Sequence, residues 1–137
     1  MKCYLCGCHL TKGKTTQDHV IPRTLWNKYR LFDYSNVHSY NVLPSCKRCN
    51  EDKDSSVLLL PLTSPSWWPA EAEQNRAHLV QPLQSLIRKL LQEDLEDDVK
   101  ESLSVWLSSS MNYCDSIQAF NKEPVLVKLP ENITTGV

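Results

Sequence analysis

The stretches TQDHVIPR (residues 16–23) and NVLPSCKRCNEDK (residues 41–53) carry the strongest structural signal in this sequence. The centre of the first stretch, residues 18–21, is typical of a strand, in which adjacent side chains leave on opposite faces unless a bulge redirects one. Ser45 is suited to cap a helix that starts at the cysteines of the second stretch and continues to its end. A hairpin followed by this helix would bring three polar residues into one cleft: Asp18, His19 and Asn41.

The cysteines predict a metal site. Six of them lie at positions 3, 6, 8, 46, 49 and 114. Four form two Cys-x-x-Cys pairs, Cys3/Cys6 and Cys46/Cys49. The first residues lack the apolar region and cleavage site of a secretory signal, so a metal site is favoured over a disulfide framework. The two pairs can complete a tetrahedron around one Zn²⁺, at about 2.3 Å from each sulfur.

Cys8 and His9 leave the ligand set open, because either can replace a cysteine of the first pair. We prefer the four-cysteine set, with Cys8 a free thiol. Closing the chain between the two pairs would supply much of the folding free energy of a small module. Four thiolates leave no open coordination position, so zinc alone does not imply catalysis.

The composition separates a basic half from an acidic half. The chain of 137 residues is long enough for one domain, or for a small module with a helical partner. Residues 1–60 hold nine Lys and Arg against five Asp and Glu, a net of +4, whereas residues 61–137 hold six against eleven, a net of −5. Contacts with a polyanion are therefore expected in the first half. No run reaches about 18 apolar residues, so we expect no membrane span and a cytoplasmic protein.

Three segments are predicted. Residues 1–60 form a turn-rich module, residues 61–69 read as a linker with three prolines, and residues 70–137 are mainly helical. An apolar stripe recurs at helical spacing from Leu83 to Leu95, with Pro82 suited to the first turn. Asp97 or Asp98 is suited to cap a second helix, and residues 125–129 predict a short edge strand.

The pattern over residues 3–53 resembles the HNH endonuclease superfamily. Members of that family carry Cys-x-x-Cys, then Asp-His followed by apolar residues and often Pro, then Asn ahead of Cys-x-x-Cys-Asn-x-x-Lys. Each element occurs here in the same order: Cys3/Cys6, Asp18-His19 with Pro22, Asn41, Cys46/Cys49-Asn50 and Lys53. The complete string with both cysteine pairs is specific, although Asp-His alone would carry no weight.

The resemblance implies an α+β fold of the ββα-metal (His-Me finger) type. It also implies a metal-dependent endonuclease that hydrolyses DNA, by a nick or a double-strand cut, of a homing, mobile-element or phage type. Asp18 and the side-chain oxygen of Asn41 would bind a catalytic Mg²⁺ or Mn²⁺, which prefers hard oxygen ligands. His19 would be the general base.

Several positions keep more than one interpretation. Where many family members have a third His, this sequence has Asn50, which either binds the metal or only holds the hairpin and helix together. Arg23 and Lys53 are expected either to contact phosphate or to be solvated surface charges. His38 is interpreted as a loop residue rather than part of the cleft, and His78 as structural or exposed.

The helical segment contains an acidic run over residues 93–98 that would repel phosphate. We therefore expect it to pack on the first module or to form a homodimer with a second copy, and Trp67 and Trp68 to pack rather than stack on a base. The expected partner is DNA rather than RNA. The competing function is a catalytically inactive zinc-knuckle module that binds nucleic acid or protein.

Overall fold

The computed structural model describes residues 2–54, 56–61, 65, 67–68, 70–111 and 124–134. The fold is mixed α+β, with two small antiparallel sheets and several helices. In chain order the elements are β1 (Thr15–His19), α1 (Arg23–Lys28), a 3₁₀ segment (Leu31–Asn41), β2 (Val42–Cys46), α2 (Lys47–Lys53), β3 (Ser56–Leu59), α3 (Ala70–Leu90), α4 (Asp97–Met111), β4 (Val125–Lys128) and α5 (Glu131–Thr134).

The first sheet pairs β1 with β2, which immediately precedes α2. Its register places Thr15 opposite Cys46 and His19 opposite Val42. The predicted strand over residues 18–21 is therefore displaced, because β1 ends at His19. The chain leaves the ladder there, and Pro22 directly precedes α1, which bends residues 20 and 21 into the core instead of along the strand.

The cap of α2 is a cysteine rather than the predicted serine. Cys46 is the N-cap, and its sulfur accepts a hydrogen bond from the backbone N–H of Cys49 at 3.4 Å. Ser45 lies inside β2, fully buried, with its hydroxyl 3.1 Å from that of Thr16. The helix therefore begins one residue later than a Ser45 cap requires, and its first turn is part of the cysteine cluster.

The second sheet joins the middle of the chain to a segment near its C-terminus. The predicted strand near the C-terminus is confirmed as β4, and it pairs with β3, so that Val57 lies opposite Val127. All four residues of β3 are buried. Trp106 of α4 donates its indole N–H to the carbonyl of Leu60 at 2.7 Å, which closes this sheet against the helices.

The helices pack onto the first module within one hydrophobic core. Residues from both halves of the chain, such as Leu25, Leu43, Leu83 and Trp106, belong to the same buried cluster. Lys89 of α3 donates to the carbonyl of Tyr29 at 2.5 Å. The expectation that the helical segment packs on the first module is thus confirmed, whereas a homodimer stays a prediction.

The first helix of this segment is longer than predicted. α3 runs from Ala70 to Leu90 with Pro82 in its interior, so the interpretation of Pro82 as a first-turn residue is wrong. Proline lacks the N–H that would bond four residues back, and an interior position costs about 3 kcal/mol. Continuous burial of Leu79, Leu83 and Leu86 on both sides of Pro82 offsets this cost.

α4 begins at Asp97, close to the predicted start, but Asp97 and Asp98 both lie inside its first turn, so neither is the predicted cap. Residues 112–123 of the predicted helical segment, which include Cys114, lie outside the described residues. Across the parts that are described, no helix combines the length and the apolar character that crossing a membrane requires.

Candidate functional site

Four cysteine sulfurs converge at one end of the first sheet. The sulfurs of Cys3, Cys6, Cys46 and Cys49 all lie within 4.8 Å of one another, and those of Cys6 and Cys46 are 3.9 Å apart. A tetrahedral zinc site with Zn–S bonds of about 2.3 Å has sulfurs about 3.8 Å apart. The predicted four-cysteine cluster is therefore confirmed as a group that could hold a metal ion such as zinc.

The backbone of the first cysteine pair folds into a tight knuckle. Gly7 has φ 79° and donates its N–H to the carbonyl of Cys3, while Cys3 donates to the carbonyl of Cys8. The N–H of Leu5 points at the sulfur of Cys3, 3.4 Å away. Amide donors of this kind stabilise the thiolate form that a metal needs.

The two alternative ligands lie outside the four-sulfur set. Cys8 and His9 are both exposed, and neither belongs to the group of mutually close ligand atoms. The side chain of Cys6, followed by burial and the side chain of Cys46, nevertheless raises the pKa of the Cys8 thiol. Cys8 is thus a neighbour of the cluster, in agreement with its prediction as a thiol outside the ligand set.

The carboxylate of Asp18 is buried beside this cluster with two donors. Only 6% of Asp18 is exposed. Its Oδ2 accepts a hydrogen bond from the hydroxyl of Tyr4 and lies 3.1 Å from Nζ of Lys53. Burial raises the pKa of Tyr4 well above its ordinary value, and the charge of Asp18 raises it further, so this phenol remains a neutral donor.

Lys53 is an internal cation. Its side chain is 3% exposed, so the interpretation of Lys53 as a solvated surface charge is wrong. Burial lowers its pKa, and the negative charge of Asp18 opposes that shift. Nζ also donates to the carbonyl of His19 at 2.6 Å, so α2 is fastened to the end of β1.

A cavity of about 280 Å³ opens in front of Asp18. Charged and polar side chains from three elements line it: Asp18 and His19 from β1, Arg23 from α1, and Asn50 and Lys53 from α2. Of the three residues predicted to share a cleft, Asp18 and His19 therefore meet here, whereas Asn41 does not line the cavity. Asp18 and His19 reach the same cavity because β1 ends at His19 and the chain turns away.

His19 is half-buried at the C-terminal end of β1. Burial lowers the pKa of its imidazole, and the positive charge of Arg23 is the next contribution in the same direction. The neutral imidazole therefore predominates at neutral pH, which is the form that can accept a proton. The ring of His38 lies 6.3 Å from that of His19 between centroids and packs edge-to-face on Trp26. His38 is thus closer to the cleft than its interpretation as a loop residue implied.

Asn41 has a structural role. Its side chain is fully buried, its Oδ1 accepts from the N–H of Ile21 at 2.7 Å, and its Nδ2 donates to the carbonyl of Ile21 at 2.8 Å. The amide thereby imitates a strand partner and continues the pairing of β1 and β2 beyond His19. This geometry contradicts the prediction that Asn41 binds the metal, because its only side-chain oxygen accepts a hydrogen bond from the backbone of Ile21.

Asn50 and Arg23 line the cavity from different helices. Asn50, on α2, donates Nδ2 to the hydroxyl of Thr16 at 3.1 Å, which leaves the oxygen end of the amide as its acceptor. Arg23 is the exposed first residue of α1. His78 lies elsewhere, exposed and stacked on Tyr40 with ring centroids 3.9 Å apart.

Tyr4 was missed as a site residue. The available signal was its position inside the Cys-x-x-Cys pair, and its backbone N–H bonds to Pro44 of β2, the strand paired with the one that carries Asp18. The sequence matches no protein-family model, no curated protein and no solved structure.

Proposed function

We propose that this chain is a metal-dependent endonuclease of the HNH type that hydrolyses phosphodiester bonds in DNA. The observation that carries the proposal is the single cavity in which Asp18, His19 and Asn50 meet beside a four-cysteine cluster. The order of two antiparallel strands followed by a helix, β1, β2 and α2, supports a ββα-metal fold.

The donor set in the cavity fits a divalent ion with hard oxygen ligands. Asp18 offers a carboxylate, which has capacity for acceptor contacts beyond those with Tyr4 and Lys53. Asn50 offers an amide oxygen and takes the place that the sequence pattern assigned to Asn41. Mg²⁺ or Mn²⁺ suits such ligands. When bound, the ion would supply charge stabilisation for the phosphate and the leaving oxygen.

The side chains of the chain carry the proton transfer and the positioning. His19 accepts the proton of the water whose oxygen attacks phosphorus, while the bond from phosphorus to the leaving oxygen breaks. Arg23, at the rim, is placed to contact a phosphate oxygen of the substrate. Lys53 holds the backbone carbonyl of His19 and so fixes the end of β1 from which the imidazole projects. The cysteine cluster is structural, because four thiolates leave no open position.

One observation favours the second candidate, a catalytically inactive zinc-knuckle binding module. The ammonium of Lys53 already neutralises Asp18 at 3.1 Å, so the carboxylate is satisfied without a divalent ion. A nuclease and a binding module that retained this cleft therefore differ in whether a divalent ion enters the cavity.

Cleavage of supercoiled plasmid by the zinc-loaded protein separates the two candidates. We expect relaxed or linear product with Mg²⁺ or Mn²⁺ and none when the divalent ion is omitted. Asp18→Ala should remove the activity, whereas Asp33→Ala, which deletes an exposed carboxylate of the 3₁₀ segment, should retain it. Wild-type protein that binds zinc but is inert on DNA and RNA of every form would establish the binding module instead.

A further inference from the structure

The hydroxyl of Tyr4 connects the first cysteine pair to the proposed catalytic carboxylate. Tyr4 lies between Cys3 and Cys6, is fully buried, and donates to Oδ2 of Asp18. We infer that Tyr4 is a positioning residue that holds Asp18 in the orientation needed to bind the divalent ion. This inference rests on the proposed divalent-ion site and adds a residue that acts on it through Asp18.

Tyr4 has little freedom to move, because contacts fix both its ring and its backbone. Its N–H donates to the carbonyl of Pro44 in β2, and the ring of Trp68 packs edge-on against it with centroids 6.2 Å apart. Its neighbour Cys3 is held in the knuckle by backbone hydrogen bonds. A donor fixed in this way restricts the rotation of the carboxylate that it binds.

The second donor to Asp18 comes from the other cysteine pair. Lys53 ends α2, whose first turn contains Cys49 and whose N-cap is Cys46. Each half of the four-cysteine cluster therefore supplies one of the two side chains that hold Asp18. A metal that joins the two halves would fix the separation between these donors and, with it, the position of the carboxylate.

The two donors differ in what they do to a cation at Asp18. The ammonium of Lys53 repels a divalent ion, and the ion has to overcome that repulsion to enter. The phenol of Tyr4 carries no positive charge and donates to Oδ2, so it orients the carboxylate without opposing the ion. Hydrogen-bond partners of this kind typically change metal affinity by about 10- to 100-fold when they are removed.

The test is Tyr4→Phe, which keeps the ring and removes only the hydroxyl. Its matched control is Tyr29→Phe, which deletes a hydroxyl that donates to Glu93 at 2.9 Å. The Kd for Mn²⁺ is measured by electron paramagnetic resonance on the zinc-loaded protein without DNA, and Asp18→Ala identifies the site. We expect Tyr4→Phe to raise this Kd by about 10- to 100-fold with its zinc content intact, and Tyr29→Phe to leave it unchanged.

The remaining outcomes each decide against the inference. An unchanged Kd in Tyr4→Phe, while Asp18→Ala abolishes binding, overturns it and leaves the proposed function standing. A Tyr4→Phe protein that loses zinc or unfolds assigns the hydroxyl to folding rather than to positioning, which also overturns it. Wild-type protein that binds no Mn²⁺ sensitive to Asp18→Ala removes the divalent-ion site, and both the inference and the proposed function fail.

Discussion

Asp18 is nearly inaccessible to solvent, and its charge is balanced inside the protein by Lys53. A buried carboxylate that loses its cationic partner destabilises a protein by about 3–5 kcal/mol. Here the loss should lie near the lower end, because the hydroxyl of Tyr4 remains as a donor. The pair therefore offers a direct way to learn whether a divalent ion replaces the ammonium.

We predict that Lys53→Met lowers the free energy of unfolding by about 3 kcal/mol without divalent ions. Because a bound Mn²⁺ would replace the missing positive charge, Mn²⁺ should restore part of this loss and stabilise the variant more than the wild type. Urea unfolding with and without Mn²⁺ measures both effects. Lys47→Met, which changes an exposed lysine of the same helix, is the control. Equal stabilisation of variant and wild type by Mn²⁺ would argue against an ion at Asp18.

Asn41 stabilises the structure around the site through its hydrogen bonds to Ile21 rather than through a contact with the metal. Asn41→Ala would leave the buried N–H and carbonyl of Ile21 without partners, at about 1–3 kcal/mol for each group. We therefore predict a fall of about 2–4 kcal/mol in the free energy of unfolding. Asn36→Ala, at an exposed asparagine of the same 3₁₀ segment, should change it by less than about 0.5 kcal/mol.

Chemical denaturation of the zinc-loaded proteins gives these values. A normal stability for Asn41→Ala, combined with lost Mn²⁺ binding, would restore Asn41 as a metal ligand.

Asn41 and Asn50 show why the sequence alone could not predict the whole site. Both are polar residues close in sequence to the second cysteine pair. Only the three-dimensional structure shows that Asn41 binds the backbone of Ile21, whereas Asn50 lines the cavity.

At the scale of elements, the knuckle of the first cysteine pair is held from outside by a tryptophan. A Cβ added to Gly7 would lie 2.8 Å from Cδ1 of Trp67, and the φ of 79° is already unfavourable for a side chain. Gly13 shares the positive φ, at 100°, but a Cβ there would meet nothing within 4 Å. The two glycines therefore separate backbone strain from the packing of Trp67.

We predict that Gly13→Ala costs about 1 kcal/mol in the free energy of unfolding, from backbone strain alone. Gly7→Ala should cost at least about 1–3 kcal/mol more, because the ring of Trp67 has to shift. Thermal and urea unfolding of the zinc-loaded variants measure the difference. Equal losses for the two variants would mean that Trp67 does not support the knuckle.

The elements that sequence predicted are those with local signals. α4 starts at its acidic residues and β4 follows its alternating pattern, since caps and alternation are properties of a few consecutive residues. β3 was not predicted, because its four buried residues form a strand by pairing with β4, nearly 70 residues later in the chain. Pro82 was misplaced for the same reason, because burial on both sides of it, and not local propensity, sustains α3.

At the scale of the whole molecule, the cysteine cluster and the helices share one fold. The basic first half carries the cavity, and α3, α4 and β4 of the acidic second half share its hydrophobic core. The predicted boundary near residue 60 therefore marks a change in composition, whereas the hydrophobic core continues across it. Loss of the metal should therefore destabilise the helices as well.

We predict that Cys46→Ser abolishes zinc binding and lowers the Tm by at least about 10 °C, since structural zinc supplies folding free energy directly. Far-UV circular dichroism, which reports mainly α3 and α4, should show the helices melting in the same transition as zinc release. Cys8→Ser, at the exposed neighbour of the cluster, should retain one zinc per chain. Equal zinc loss in Cys8→Ser would make Cys8 a ligand.

If Asp18 and His19 hydrolyse DNA together in one cavity, the rate of plasmid nicking by His19→Ala is the decisive measurement. With saturating Mg²⁺, we predict a fall of about 10²- to 10⁴-fold relative to wild type, the range expected when a general base is removed. Zinc content, Tm and Mn²⁺ affinity should stay unchanged, and His78→Ala should nick at the wild-type rate. A His19→Ala protein that nicks DNA as fast as wild type would contradict the account.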